Sequence, residues 1–283
     1  MGGERALPFL LIAPTVMVLV ALSIYPLVYS VRVSLQSDSG FTFKHFARLL
    51  SDDFFQSALA HTLCYAAIAL TVEFLLGLAL AVLLNREMRG RSFFRAALLV
   101  PMMLPPVVVG VVWRLMLNPN FGAINGTLQS VGVNTEQLTW TASPTLAFAA
   151  VVMVDIWQWT PFMFLILLAG LQAIPDEPYE AALIDGSSAW QTFRYVTLPL
   201  LKPAILIALL LRTMDLLRVF DQIFILTEGG PGSATETISL YIHRTAFRFG
   251  DFGYAAAMSF VLLLLTNAVS LLYIRLLQRQ EEA

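Results

Sequence analysis

Six stretches of the chain are apolar for long enough to cross a lipid bilayer: 7–31, 57–84, 96–117, 144–171, 203–227 and 253–274. A helix needs about 20 such residues to span the hydrocarbon core, and in lipid only helices and closed barrels satisfy their own backbone. With 58% hydrophobic and 13% charged residues, the 283-residue chain has too little polar surface to coat a soluble core. The expected fold is therefore all-α and integral to the membrane, with six transmembrane helices in one domain over 1–283. The apolar run after residue 6 is too long for the core of a signal peptide, so the first helix is expected to be retained.

Six spans place both termini on one side with loops 85–95 and 172–202. That side carries Arg5, Arg86, Arg89, Arg91, Arg95, Arg194, Lys202, Arg275 and Arg279; the other carries Arg32, Lys44, Arg48, Arg114, Arg244 and Arg248. The excess, concentrated in the short 85–95 loop, predicts cytoplasmic termini. Tyr25, Trp113 and Tyr273 fall near span ends, where interfacial anchoring and plain packing are both open to them. Prolines 101, 105 and 106 remove backbone donors from the third span, which is expected to kink, either statically or to shape a cavity. The formal charge of −2 leaves no basic footprint for nucleic acid. Cys64 is the single cysteine, so no internal disulfide forms.

Between the fourth and fifth spans lies "DEPYEAALIDGSSAWQTFRYVTLPL", residues 176–200. Asp176 and Glu177 suit a helix start, and Gly186 suits a helix end. Ser187 or Ser188 caps a second helix, with Pro199 and Pro203 bracketing entry into the next span. The product is a helix–glycine–helix loop whose Tyr179, Leu183, Trp190 and Phe193 are too apolar for water. It docks on another surface or folds back on its own spans as an interfacial elbow.

Glu180-Ala181-Ala182, then Gly186, then Val196-Thr197-Leu198-Pro199 resemble the EAA loop of ABC importer permeases, with Val196 where the family usually has Ile. "RGRSFFRAALLVPMMLPPVVVGVVWRLMLNPNFGAINGTL" and the "TEGGPG" turn at 227–232 are similar to carbohydrate-uptake permeases of the maltose-transporter type, first permease of the pair. The resemblance is to six-span relatives of the maltose protein, whose two extra N-terminal spans and large outer insertion have no counterpart in the six spans read here. This resemblance implies a type I importer permease fold, with 172–202 as the cytoplasmic coupling loop. It implies ATPase coupling through Glu180, Ala181, Ala182, Asp185, Gly186, Leu198 and Pro199. The partners it implies are a homologous second permease, a dimer of ATP-binding subunits, an extracytoplasmic solute-binding protein and a carbohydrate substrate. ATP and Mg would sit on the partner ATPase, with no cofactor on this chain. The location would be the cytoplasmic membrane of a bacterium or archaeon.

Charges at membrane depth mark sites: Glu73 in the second span, Asp155 in the fourth, and Arg212, Asp215, Arg218 and Asp221 in the fifth. Arg212–Asp215 and Arg218–Asp221 are spaced to pair at i, i+3, which alone is enough to brace a bundle. Alignment on the EAA motif carries the maltose system's substrate positions to the neighbourhood of Asp155, Trp159, Arg212, Leu216 and Val219. Gln158, Asp215 and Arg218 complete the candidate set. An unpaired Arg212 would point to an anionic sugar. The outer loops, with Phe121, Gly122, Asn125 and 229–232, are candidate surfaces for the binding protein. Asn125-Gly126-Thr127 also matches a glycosylation sequon.

The chain has no G-x-x-x-x-G-K-[ST], H-E-x-x-H or G-x-S-x-G, and its two lysines are Lys44 and Lys202. It is expected to be a transport subunit rather than an enzyme. The alternative is a secondary transporter driven by protons through Glu73, Asp155 or Asp215.

Overall fold

The computed structural model describes residues 3–37, 40–135 and 138–281. Its elements run α1 (Gly3–Ser34), a two-residue ribbon β1 (Gln36–Ser37) with β2 (Gly40–Phe41), α2 (Lys44–Leu49), α3 (Asp53–Asn85), α4 (Arg91–Met103), α5 (Pro106–Met116) and α6 (Ala123–Ser130). They continue with α7 (Pro144–Gln172), α8 (Glu177–Ile184), α9 (Ala189–Thr192), α10 (Leu198–Leu216), α11 (Asp221–Leu226), α12 (Ile238–Phe247) and α13 (Phe252–Glu281). Among the described residues five helices are long and apolar enough to cross a membrane, and there are six spans if α4 and α5, bent by 94° at the break between them, count as one.

That bend has a local cause. Leu104 and Pro105 are extended, and Pro106 starts α5 at a position where its missing N–H costs nothing. Pro101, by contrast, sits inside α4 without ending it.

The fifth span differs from the expected 203–227. A continuous helical stretch runs Ala189–Leu216, so Pro199 and Pro203 do not bracket a break. Pro199 has no N–H to give. Just before it the helix widens over Phe193–Thr197, with Leu198 N bonding Phe193 O five residues back. The chain then unwinds over 217–220 before α11, so the stripe expected through Arg212, Leu216, Val219 and Ile223 is interrupted.

The chain divides into two compact units. One holds the chain up to Gln56 with Tyr241–Leu264; the other holds Ser57–Leu240 and the chain from Leu265. In the first, α1 leaves Leu11, Met17, Leu22 and Tyr25 exposed, as lipid-facing or partner-facing residues are. Asp52 organises the rest. Its Oδ1 accepts from Phe54 N and Phe55 N at 3.0 and 3.2 Å, the pattern of an N-cap for α3. Its Oδ2 accepts from Tyr241 and Tyr254 hydroxyls at 2.8 and 2.6 Å. Beside it Arg48 pairs with Asp251 at 2.9 Å and lies 4.0 Å from the Tyr254 ring centroid.

In the second unit α7 is the central helix, apolar all round and buried on most sides. Close approach depends on missing side chains. A Cβ on Gly77 would come 2.6 Å from Met163 Cβ, and one on Gly170 would come 2.5 Å from Ala204 Cβ. The core joins Tyr65, Val109, Trp113, Val151, Leu216 and Ile223. Trp113 is therefore a core residue packed edge-on to Trp157, not an interfacial anchor.

Gly170→Ala should lower resistance to unfolding in detergent by about 1–3 kcal/mol, the usual cost of overpacking. Adding Ala204→Gly should recover part of it. Burial pushes the Asp52 carboxyl up, but the hydrogen bonds from Tyr254, Tyr241, Phe55 and Phe54 outweigh it and hold the group below its usual range. Its contribution is then complete above about pH 4 and is lost as pH falls further. Thermal unfolding of Asp52→Asn should accordingly be less acid-sensitive than that of the wild type.

Candidate functional site: a buried arginine behind an acidic cleft

The intramembrane charges that are scattered along the sequence meet in one place. Glu73 lies on α3, Asp155 on α7, and Arg212 and Asp215 on α10. Arg212 Nε donates to Glu73 Oε2 at 2.7 Å and its Nη2 to Glu73 Oε1 at 3.0 Å, a two-pronged pair. Nη2 also donates to Asp155 Oδ2, and Nη1 to Asp215 Oδ2. The guanidinium lies 5.1 Å from the centroid of Trp159. Arg212 is 2% exposed, Glu73 0% and Asp155 1%, whereas the Asp215 side chain is 56% exposed. A charge buried this deeply is tolerable only with such partners. Arg212 is thus not unpaired, and no free guanidinium remains to call for an anionic sugar.

Of the expected pairs, Arg212–Asp215 forms. Arg218–Asp221 does not form among the described residues: Arg218 Nε donates to Met214 O instead. The reason is the unwinding after Leu216, which takes residue 221 out of helical register with residue 218.

In front of the network a cleft of about 110 Å³ is lined by Pro106, Asp155, Trp159, Asp215, Arg218, Val219, Phe220, Asp221 and Gln222. Five of the eight candidate substrate residues line it: Asp155, Trp159, Asp215, Arg218 and Val219. Three do not. Arg212 lies behind the wall, and Leu216 is fully buried in the core. Gln158, 0% exposed, donates from Nε2 to Leu104 O at 3.0 Å and accepts from Gln222 Nε2 at 3.0 Å. It thereby satisfies a carbonyl that the bend in the third span sets free. Pro106, Phe220, Asp221 and Gln222 were not foreseen as lining. The double proline and the clustered charges of 212–221 are the signals that bear on them.

At the other end of α7 the 172–202 segment has the expected build. Ser187 N bonds Ala182 O at 3.0 Å and Gly186 N bonds Leu183 O at 3.1 Å, closing α8 in a Schellman motif. Gly186 sits at φ +73°, in open space, so backbone conformation alone demands glycine there. Of the two serines, Ser188 caps α9, with a reciprocal bond to Gln191. Glu180, Ala181, Asp185, Gly186 and Pro199 are exposed, Leu198 is half-buried, and Ala182 is buried. Leu183, Ile184, Trp190 and Tyr195 are all exposed, which leaves an apolar outer face. Behind it is a hollow of about 510 Å³, lined by Arg86, Tyr179, Phe193 and their neighbours and distant in sequence from the charge network.

On the outer side, Asn125 is buried rather than displayed. Its Nδ2 donates to Pro119 O and Leu138 O at 3.3 and 3.4 Å, and its Oδ1 accepts from Trp140 Nε1 at 2.7 Å. It pins the loop, and neither a glycan nor a docking partner has access to it. Phe121 is exposed. No cluster of metal-ligating side chains occurs among the described residues.

The sequence pattern of the family described as "binding-protein-dependent transport system inner membrane component" matches residues 73–282. The trehalose/maltose transport system permease protein MalF of Thermococcus litoralis is 39% identical over 279 residues, 96% of this chain and 94% of that one. The sulfoquinovosyl glycerol transport system permease protein SmoG of Agrobacterium fabrum is 35% identical over 287 residues, 99% and 92% of the two chains. A chain in the crystal structure of a bacterial alginate ABC transporter, in complex with alginate pentasaccharide-bound periplasmic protein, superposes with a TM-score of 0.87 at 23% identity. It covers 98% of this chain and 96% of that one, a likeness of fold.

Gln158→Leu should leave Leu104 O and Gln222 without partners. Unfolding in detergent should then become easier by about 1–3 kcal/mol, the cost of buried polar groups left unpaired.

Proposed function

Because the chain belongs to the family of binding-protein-dependent transport system inner membrane components, with the type I ABC importer permease fold, we propose that it carries a sugar or sugar derivative into the cell by alternating access. The observation that carries this reading is the Gly186-hinged helix pair, whose apolar face of Leu183, Ile184, Trp190 and Tyr195 nothing else in the described chain covers. A dimer of ATP-binding subunits docks there, touching Glu180, Ala181, Ala182, Asp185 and Gly186, with Leu198 and Pro199 passing the movement into α10. ATP and Mg are held and used by those subunits. The termini and this loop are cytoplasmic, and a solute-binding protein delivers substrate from outside.

The substrate meets the cleft beside the charge network. Trp159 stacks on the apolar face of a sugar ring, while Asp155 and Asp215 accept from its hydroxyls and Arg218 donates to it. Three carboxylates, Asp155, Asp215 and Asp221, face one cation, Arg218, so the lining suits an uncharged polyol. Its volume of about 110 Å³ is below the roughly 300 Å³ at which ligand sites begin. A homologous second permease supplies the missing wall. When the ATPase dimer closes, the coupling loops move and the two permeases rock against each other, turning the cavity from inward- to outward-facing. Docking of the binding protein favours the same state, since coupling between sites is reciprocal. The proton-driven alternative is disfavoured by what its carboxylates are doing, since Glu73 and Asp155 are held by Arg212.

The test is ATP-dependent uptake of a labelled sugar panel by vesicles holding the assembled complex, with Gly186→Asp alongside. Aspartate at φ +73° is strained, and it adds charge to the docking face. Uptake by the wild type, lost in a variant that keeps its partners, is the expected result. Equal uptake by both, or uptake that needs no ATP and collapses with the proton gradient, would overturn the proposal.

A further inference from the structure

Arg212 spends its donors inside the protein. Nε and one Nη2 hydrogen go to Glu73, the other Nη2 hydrogen to Asp155, and one Nη1 hydrogen to Asp215, four of the five a guanidinium owns. It is 2% exposed and has no surface on the cleft. Yet three of the groups it touches line that cleft: Asp155, Asp215 and the Trp159 ring. Glu73 is not among the residues that line the cleft and is 0% exposed, but it fixes the guanidinium plane by its two-pronged pair. We infer that Arg212 is a positioning residue for the transport site, with Glu73 as its anchor, setting the spacing of two carboxylates on different helices and the tilt of the indole between them. The inference rests on the cleft being where substrate passes.

The chemistry favours arginine for this task. A guanidinium is planar, always charged and rigid, so once Glu73 fixes its plane the remaining N–H vectors point in set directions. Asp155 is carried by α7 and Asp215 by α10; neither helix alone determines how far apart their oxygens lie. The guanidinium bridges them. Only Oδ2 of Asp215 is taken by Arg212, so Oδ1 is available to accept from a hydroxyl. Two acceptors at fixed spacing beside a fixed aromatic ring select among sugars by the placement of their hydroxyls. A site built to bond a hydroxyl rejects analogues that lack it far more strongly than an apolar pocket does. The specificity of the cleft therefore depends on a carboxylate, Glu73, that no substrate touches.

The test has a spectroscopic arm that needs no substrate and a transport arm that does. The chain, in complex with its partners, is labelled with 5-fluorotryptophan, and the ¹⁹F resonances of Trp159 and Trp190 are assigned by Trp159→Phe and Trp190→Phe. Glu73→Gln, isosteric and the milder change, should move the Trp159 resonance and leave that of Trp190 on the coupling loop in place. Arg212→Lys should move it too, because an ammonium keeps the charge but lacks the planar fork that pairs with both Glu73 oxygens while reaching Asp155 and Asp215. Thr62→Val, which removes another buried polar contact of α3, to Ile238 N, is the control and should leave Trp159 alone. In the uptake assay, Glu73→Gln should shrink the preference between the best and second-best sugar about tenfold, the scale of one weakened charged hydrogen bond, with complex assembly unchanged. An unmoved Trp159 in both variants overturns the inference. So does a moved Trp159 with an unchanged preference among sugars, which would make the network a brace and nothing more. If the complex carries no sugar, the proposed function fails, while the Trp159 arm still decides whether Glu73 positions the cleft.

Discussion

A guanidinium placed at membrane depth must be paired, and the fold around Arg212 is arranged to pair it. Three helices, α3, α7 and α10, each contribute a carboxylate, and no two of those helices adjoin in sequence order. Apolar packing in lipid is weakly directional, since tails and side chains are equally apolar. The polar network adds what packing lacks, a fixed register between helices. The glycine contacts at Gly77 and Gly170 then let α3 and α10 lie close against α7.

The same constraint explains where the helices stop. Two breaks, at 104–105 and at 217–220, fall within the apolar runs 96–117 and 203–227 of the sequence, and free backbone groups are expensive there. Each break has an answer in a side chain. Gln158 donates to Leu104 O at the first, and Thr237 Oγ1 donates to Val219 O at 3.3 Å at the second. Both breaks contribute lining to one cleft, through Pro106 and through Val219 and Phe220. Irregular backbone at this depth and a polar cavity thus occur together, each making the other tolerable.

Much of this was legible in the sequence, and what was not has a physical reason. Hydropathy located six spans because a bilayer's thickness sets a length that any sequence must meet. The helix–glycine–helix loop was legible because Gly186 and Ser188 act within a few residues of themselves. The extent of the fifth span was not, because Pro199 reads as a stop. A widened helix over Phe193–Thr197 instead absorbs the lost donor, a compensation with no sequence signature. Glu73 could be flagged as costly, but its partner lies 139 residues away, beyond any local rule. Asn125 read as a surface residue because the three-residue sequon carries no information on burial; Trp140, fifteen residues on, is what holds it inside. Candidate substrate residues divided the same way: alignment on the EAA motif led to Asp155 and Trp159, but not to which residues stand in front of the wall and which behind.

The account's central claim, that Arg212 and Glu73 act as one unit in holding the helices in register, is tested most directly by a double-mutant cycle. Unfolding of the purified protein in detergent would be measured for Arg212→Gln, Glu73→Gln and the pair. Arg212→Gln strands the buried carboxylates of Glu73 and Asp155 and should cost about 3–5 kcal/mol, whereas Glu73→Gln leaves Arg212 its bonds to Asp155 and Asp215 and should cost less. The double variant, left with two neutral amides able to bond each other, should cost less than the sum by about 1.5 kcal/mol or more, within the range of coupled neighbours. Additivity to within about 0.5 kcal/mol would mean that the two residues are independent, and would contradict the account.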